Sequence, residues 1–111
     1  MVVMHIHAEI LPGKNLELKQ TALSLLPHLM QEKGCLGYVI YQSINDRSKM
    51  CFLSEWKTKN DLKGHFLSRM FAITSGAIHS LCENVYFKIS SKHFAGTFNE
   101  LKADPSLLTD K

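Results

Sequence analysis

No stretch of this 111-residue chain stays apolar for the roughly 18–20 residues that a bilayer span requires, which excludes a transmembrane helix. The opening MVVMHIHAEI has neither a basic leader nor a small-residue cleavage pattern, so the expectation is a cytoplasmic protein with no membrane contact. Cysteine is scarce. Cys35, Cys51 and Cys82 are odd in number, far apart and without a C-x-x-C, which argues against a disulfide framework or a thiolate metal site and for reduced core thiols. Glycine-rich phosphate loops are missing, both G-x-G-x-x-G and the Walker pattern, so no nucleotide cofactor is expected. Charge of one sign is also lacking: 13 Lys/Arg against 10 Asp/Glu leave a scattered net +3 with no basic stripe, and nucleic acid is not an expected partner.

What the chain does have is the composition of one folded domain, 45% hydrophobic and 21% charged. Val2, Met4, Ile6, Ala8 and Ile10 alternate with Val3, His5, His7 and Glu9, the period of a strand with one apolar face. After Pro12-Gly13 the period becomes helical, with Leu18, Ala22, Leu25, Leu26 and Leu29 on one side until Lys33-Gly34. Pro27 inside this helix predicts a kink or a split, because it removes a backbone donor and crowds the preceding turn. Residues 36–44 and 49–57 flank the turn formers Asn45-Asp46-Arg47-Ser48 and predict an antiparallel hairpin. Thr58-Lys59-Asn60-Asp61 has capping-box spacing for a helix carrying Leu62, His65 and Phe66. Ser68 caps a further helix with a stripe of Met70, Ile73, Thr74, Ala77, Ile78 and Leu81, and 85–90 alternate as a last strand.

The order β-α-β-β-αα-β predicts an α+β fold, the ferredoxin-like split βαβ: a four-stranded antiparallel sheet with helices on one face. It occupies residues 1–90. Residues 91–111 form a C-terminal tail in which Phe94, Phe98 and Leu101 suggest one short amphipathic helix. With Val2, Met4, Ile6 and Ala8 toward the helices, His5, His7 and Glu9 take the uncovered face. Phasing the other strands turns Leu36, Tyr38, Ile40, Cys51 and Leu53 inward. It turns Val39, Tyr41, Ser43, Met50, Phe52, Ser54, Trp56 and Tyr86 outward. That face is more aromatic than soluble monomers tolerate, so the expected partner is an identical sheet, closing a dimeric barrel with an apolar lumen fit for a small aromatic molecule.

Ser54-Glu55-Trp56-Lys57-Thr58, Asp61-Leu62, His65, Phe71 and Gly76-Ala77 resemble the antibiotic biosynthesis monooxygenase family, small dimeric α+β-barrel proteins that include quinol monooxygenases. Trp56 and His65 keep the family's nine-residue spacing, and Gly34-Cys35-Leu36-Gly37-Tyr38 resembles its G-C-x-x-Y entry to the second strand. The resemblance spans residues 2–90. It implies an oxygenase that acts, without metal or flavin, on an electron-rich quinol or anthrone-like substrate with O2 as co-substrate, or else a non-catalytic dimeric small-molecule-binding module of the same fold. One departure is Ser54, which stands where relatives often carry a glutamate two positions before the Trp. The position of the haem-degrading members' first-strand Asn falls at His7. Their iron ligand falls near Thr74 or Ser75, neither of which ligates haem.

The catalytic candidates are therefore His65, His7 and Trp56, with His5, Tyr41, Phe52 and Tyr86 as substrate-binding candidates. An imidazole titrates near neutrality and suits a general base; Trp56 offers a flat surface and one N–H donor. Each has a plainer reading as dimer-core or helix packing. His5 and His7 also form an H-x-H pair with Glu9 next in line, but a mononuclear site needs a further ligand, and no metal is expected.

Overall fold

The structure is a computed structural model, and it describes residues 1–91, 96–104 and 106. The chain runs β1 (Val2–Ile10), α1 (Asn15–Met30), β2 (Cys35–Gln42), β3 (Lys49–Trp56), α2 (Lys59–Phe66), α3 (Arg69–Leu81), β4 (Cys82–Ser90) and α4 (Phe98–Ala103). The four strands form one antiparallel sheet in the order β2-β3-β1-β4, with β1 and β3 central, the ferredoxin-like arrangement.

Local chemistry sets the boundaries. The Thr58 hydroxyl accepts the Asp61 N–H at 3.1 Å and starts α2, and Ser68 accepts the Phe71 N–H at 3.1 Å and starts α3, so both expected caps are present. Asp46 closes the β2–β3 turn by accepting from the Ser48 N–H at 3.0 Å. Gly34 has a φ of +79°, and a Cβ there would overlap the Asp61 carboxyl, so only glycine fits where the chain enters β2. Helix α1 is a single helix from Asn15 to Met30, so Pro27 does not split it. Pro27 lies on the exposed side, where water can satisfy the Leu23 carbonyl that loses its donor.

The core lies between the sheet and α1–α3 and contains Met4, Ile6, Leu18, Leu29, Phe52, Trp56 and Ile78, each adding roughly 1.5–3 kcal/mol by burial. The stripe expected on α3 is buried at Thr74, Ile78 and Leu81, whereas Ile73 is exposed. Beyond the domain, α4 carries Phe98 and Leu101 as expected but buries neither; Phe94 lies outside the described residues.

The register of β3 corrects one expectation. Trp56 pairs with Val2, Ser54 with Met4 and Phe52 with Ile6, so these three point at the helices, and Cys51 and Leu53 share the open face with His7 and His5. Tyr38 and Ile40 face inward and Val39 and Tyr41 outward, as expected, but a bulge between Cys35 and Gly37 leaves Leu36 exposed instead of packed. A second bulge sets Asn84 and Val85 opposite Ala8, with Asn84 in the left-handed region at φ 52°.

Candidate functional site

The β3 phase divides the predicted site residues between two faces of the sheet. On the helix side stand His65, Trp56 and Phe52; on the open side stand His5, His7, Tyr41 and Tyr86. One lumen holding all seven is not what the fold builds.

His65 is 2% exposed on the inner side of α2, one turn after the buried Leu62. Its Nδ1 lies 2.6 Å from Oε2 of Glu32, which comes from the segment between α1 and β2. A carboxylate only accepts, so Nδ1 carries the hydrogen and, in the neutral ring, Nε2 keeps its lone pair. The Ser68 hydroxyl that caps α3 lies 2.7 Å from the His65 carbonyl and 3.1 Å from the other Glu32 oxygen, the two acceptors open to its one hydrogen. Trp56 stacks on the imidazole at 4.5 Å between centroids, Phe71 meets it edge-on at 5.0 Å, and Tyr38 stands at 6.3 Å. The Trp56 indole N–H is itself satisfied, donating to the Ser54 hydroxyl at 2.9 Å. Two buried polar atoms in this cluster have no partner among the described residues: His65 Nε2 and the Tyr38 hydroxyl. Burial pushes the Tyr38 phenol well above its ordinary range, so it is a neutral donor.

Beside this cluster an apolar cavity of about 550 Å³ opens between α2, α3 and the edge strand β4. Met4, Ile6, Phe66, Phe71, Val85 and Phe87 line it. Phe71 belongs to both places: it lines the cavity and touches the His65 ring. Cavities of this size and character suit small apolar ligands.

On the open face His7 stacks on Tyr86 at 4.8 Å, and His5 stands edge-on to His7 at 5.9 Å. Partial burial, with the positive charge of His5 and Lys88 nearby, holds the His7 imidazole below its ordinary value. Glu9, the third candidate for an H-x-H site, is engaged by the Asn84 amide at 3.1 Å, and among the described residues no three His, Cys, Asp or Glu side chains converge to hold a metal ion. Burial raises the thiols of Cys35, Cys51 and Cys82, which makes them poor nucleophiles.

Glu32 was not legible as a site residue. It sits in the polar Gln31-Glu32-Lys33 segment after a helix, where a solvated acid is the ordinary reading. The one available hint was Ser54, which leaves β3 without a carboxylate two positions before Trp56 and so without that partner for a buried imidazole.

The family model for antibiotic biosynthesis monooxygenases matches residues 1–74, most of the sheet and its helices. The chain belongs to this family. Among solved structures it resembles a candidate antibiotic biosynthesis monooxygenase from Deinococcus radiodurans, with 16% identity, a TM-score of 0.79, and 88% of this chain and 98% of that chain covered. A second candidate of the same family, from Nitrosomonas europaea, shares 18% identity at a TM-score of 0.77 over 85% of this chain and 100% of its own. A conserved Methanosarcina mazei protein shares 24% identity at a TM-score of 0.74 over 84% of this chain and 95% of its own. At such identities these structures speak to the fold. No curated protein matches the sequence. Family membership fits the observed α+β architecture, and among the described residues no helix is long and apolar enough to cross a membrane.

Proposed function

We propose that this member of the antibiotic biosynthesis monooxygenase family is a monooxygenase that uses O2 on an electron-rich aromatic substrate, a quinol or an anthrone, with His65 as the base. The observation that carries the reading is the His65–Glu32 pair at 2.6 Å, which leaves a buried, unpartnered Nε2 behind the wall of an apolar cavity. A flat aromatic molecule lies against Phe66, Phe71 and Phe87, and a side-chain rotation of Phe71 opens Nε2 to its acidic proton. His65 takes that proton while Glu32 stabilises the resulting imidazolium. The substrate anion supplies the electrons to O2, so that an anthrone CH2 plus O2 gives C=O plus H2O, and a quinol plus O2 gives a hydroxyquinone plus H2O. Trp56 keeps the imidazole plane fixed. His7 works from the opposite face, as a contact between subunits and not as the base.

The reading includes a homodimer through the open sheet face. Val39, Tyr41 and Tyr86 are 41%, 54% and 52% exposed there, an apolar and aromatic surface of the kind that monomers cover. Oxygen uptake on a panel of quinols and anthrones tests the activity. Wild type should consume O2 above the spontaneous rate, and His65→Gln, with helical and sheet signals retained, should lose about 100-fold or more. No uptake with any member of the panel overturns it in favour of a second reading, a non-catalytic small-molecule-binding module. That reading is favoured by the closure of Phe71 and Trp56 over His65, which is 2% exposed.

A further inference from the structure

A second groove lies between α1 and the edge strand β2, with a volume of about 710 Å³, and meets the His65 cluster only at Tyr38. Its two ends differ in chemistry for a topological reason. Strand β3 is antiparallel to both β1 and β2, so β1 and β2 run the same way, and α1 returns between them in the opposite sense. The start of α1 therefore meets the end of β2 and the β2–β3 turn, and that end carries the polar groups, Asn15, Lys19, Gln42 and Arg47, beside Leu16 and Met50. Toward the other end the lining is Leu23, Leu26, Tyr38 and Ile40.

Among the described residues no acid lines the groove. The nearest acids in sequence are engaged elsewhere: Glu17 lies 3.6 Å from Lys14, and Asp46 accepts from Ser48. Lys19 and Arg47 make no ion pair among the described residues. Leu23 remains 60% exposed on the apolar rim, where an alkyl chain laid along it would remove it from water.

The geometry points to a binding site for a single-headed amphipathic carboxylate, such as a medium-chain fatty acid. The head group sits between Lys19 and Arg47, Asn15 takes a remaining lone pair, the Gln42 amide holds the Arg47 backbone by donating to its carbonyl at 2.7 Å, and the tail lies along Leu23, Leu26 and Ile40. A guanidinium and an ammonium facing one carboxylate give charge-assisted bonds, and the alkyl tail removes the leucine surface from water. The site does not rest on the oxygenase reading: it shares no lining residue with the cavity beside β4 and only Tyr38 with the His65 cluster.

Amide NMR of the full chain titrated with sodium octanoate tests it, with octanol and acetate as probes that keep only the tail or only the charge. Octanoate should saturate and shift amides of α1 and β2, octanol should bind at least roughly tenfold more weakly, and acetate should not bind. The double variant Lys19→Gln, Arg47→Gln should weaken octanoate roughly tenfold and leave octanol unchanged. Leu23→Glu, at an exposed position that spares the core, should abolish octanoate binding. The proposal is overturned if octanoate gives no saturable shifts, if its shifts map to the cavity beside Phe87, or if acid and alcohol bind equally.

Discussion

Glu32 reaches His65 across the junction of α1, α2 and α3, its Oε2 2.6 Å from the imidazole Nδ1, although the two residues are 33 apart in the chain. The contact fixes which ring nitrogen is the donor, and it makes the segment between α1 and β2 part of the site.

Glu32→Ala should therefore cost stability as well as any activity. It leaves the His65 N–H buried and unpaired, a loss of about 1–3 kcal/mol, and Glu32→Gln, which keeps an accepting oxygen, should lose less. Urea unfolding of the two variants against wild type measures the order. Equal stabilities for all three would show that the pair contributes nothing to the fold.

Gly34 and Gly13 share a φ of +79° but not their surroundings, since the Asp61 carboxyl crowds Gly34 and nothing crowds Gly13. Gly13→Ala should cost only the left-handed penalty of about 1–2 kcal/mol. Gly34→Ala should cost more, because Asp61 must move and the cap of α2 with it. Melting curves of the pair read the difference directly; a larger loss at Gly13 would contradict it.

Leu53 lies on the open face opposite His5. If the proposed homodimer forms through this face, wild type should scatter as twice the 12.6 kDa chain, and Leu53→Arg should leave the domain folded and give the mass of a single copy. A variant that keeps the doubled mass would place the interface elsewhere.

His7 is held below its ordinary 6.5 by partial burial, His5 and Lys88, with Tyr86 and Cys51 its other neighbours across β4 and β3. On falling pH the unfolded chain takes up this proton first. The contribution is therefore full above 6.5 and is lost as pH falls from there toward the lower folded-state value. His7→Gln should flatten that part of the stability profile, followed by urea midpoints at fixed protein concentration. An unchanged slope would assign it to other groups.

Most of the architecture is legible in the sequence. Strict alternation at 2–10, the Thr58 and Ser68 caps and the turn at Asp46 each express one local force, and the structure realises each. The phase of β3 was not readable from its own residues, because Met50, Phe52 and Trp56 alternate with Cys51 and Leu53 and both faces look apolar. Turn length decided it. A hairpin pairing Ile44 with Lys49 would set Leu53 beside Ile40, whereas the observed register pairs Gln42 with Met50 and sets Phe52 there. A shift of one residue turns every side chain over, and Trp56 moved with it from the open face to the imidazole. The contact between Glu32 and His65 was hidden for a different reason: it depends on how three helices meet, which no periodicity encodes.

The bulge at Asn84 lets Cys82 lie under the helices beside Ile10 while Tyr86, four positions on, stacks on His7 across the sheet. An even-numbered separation would ordinarily put both on the same side. The extra residue acts as a spacer whose presence matters more than its identity, so glycine can replace Asn84, but a gene that lost its codon would have to give up either the seal at the end of the core or the ring that meets His7.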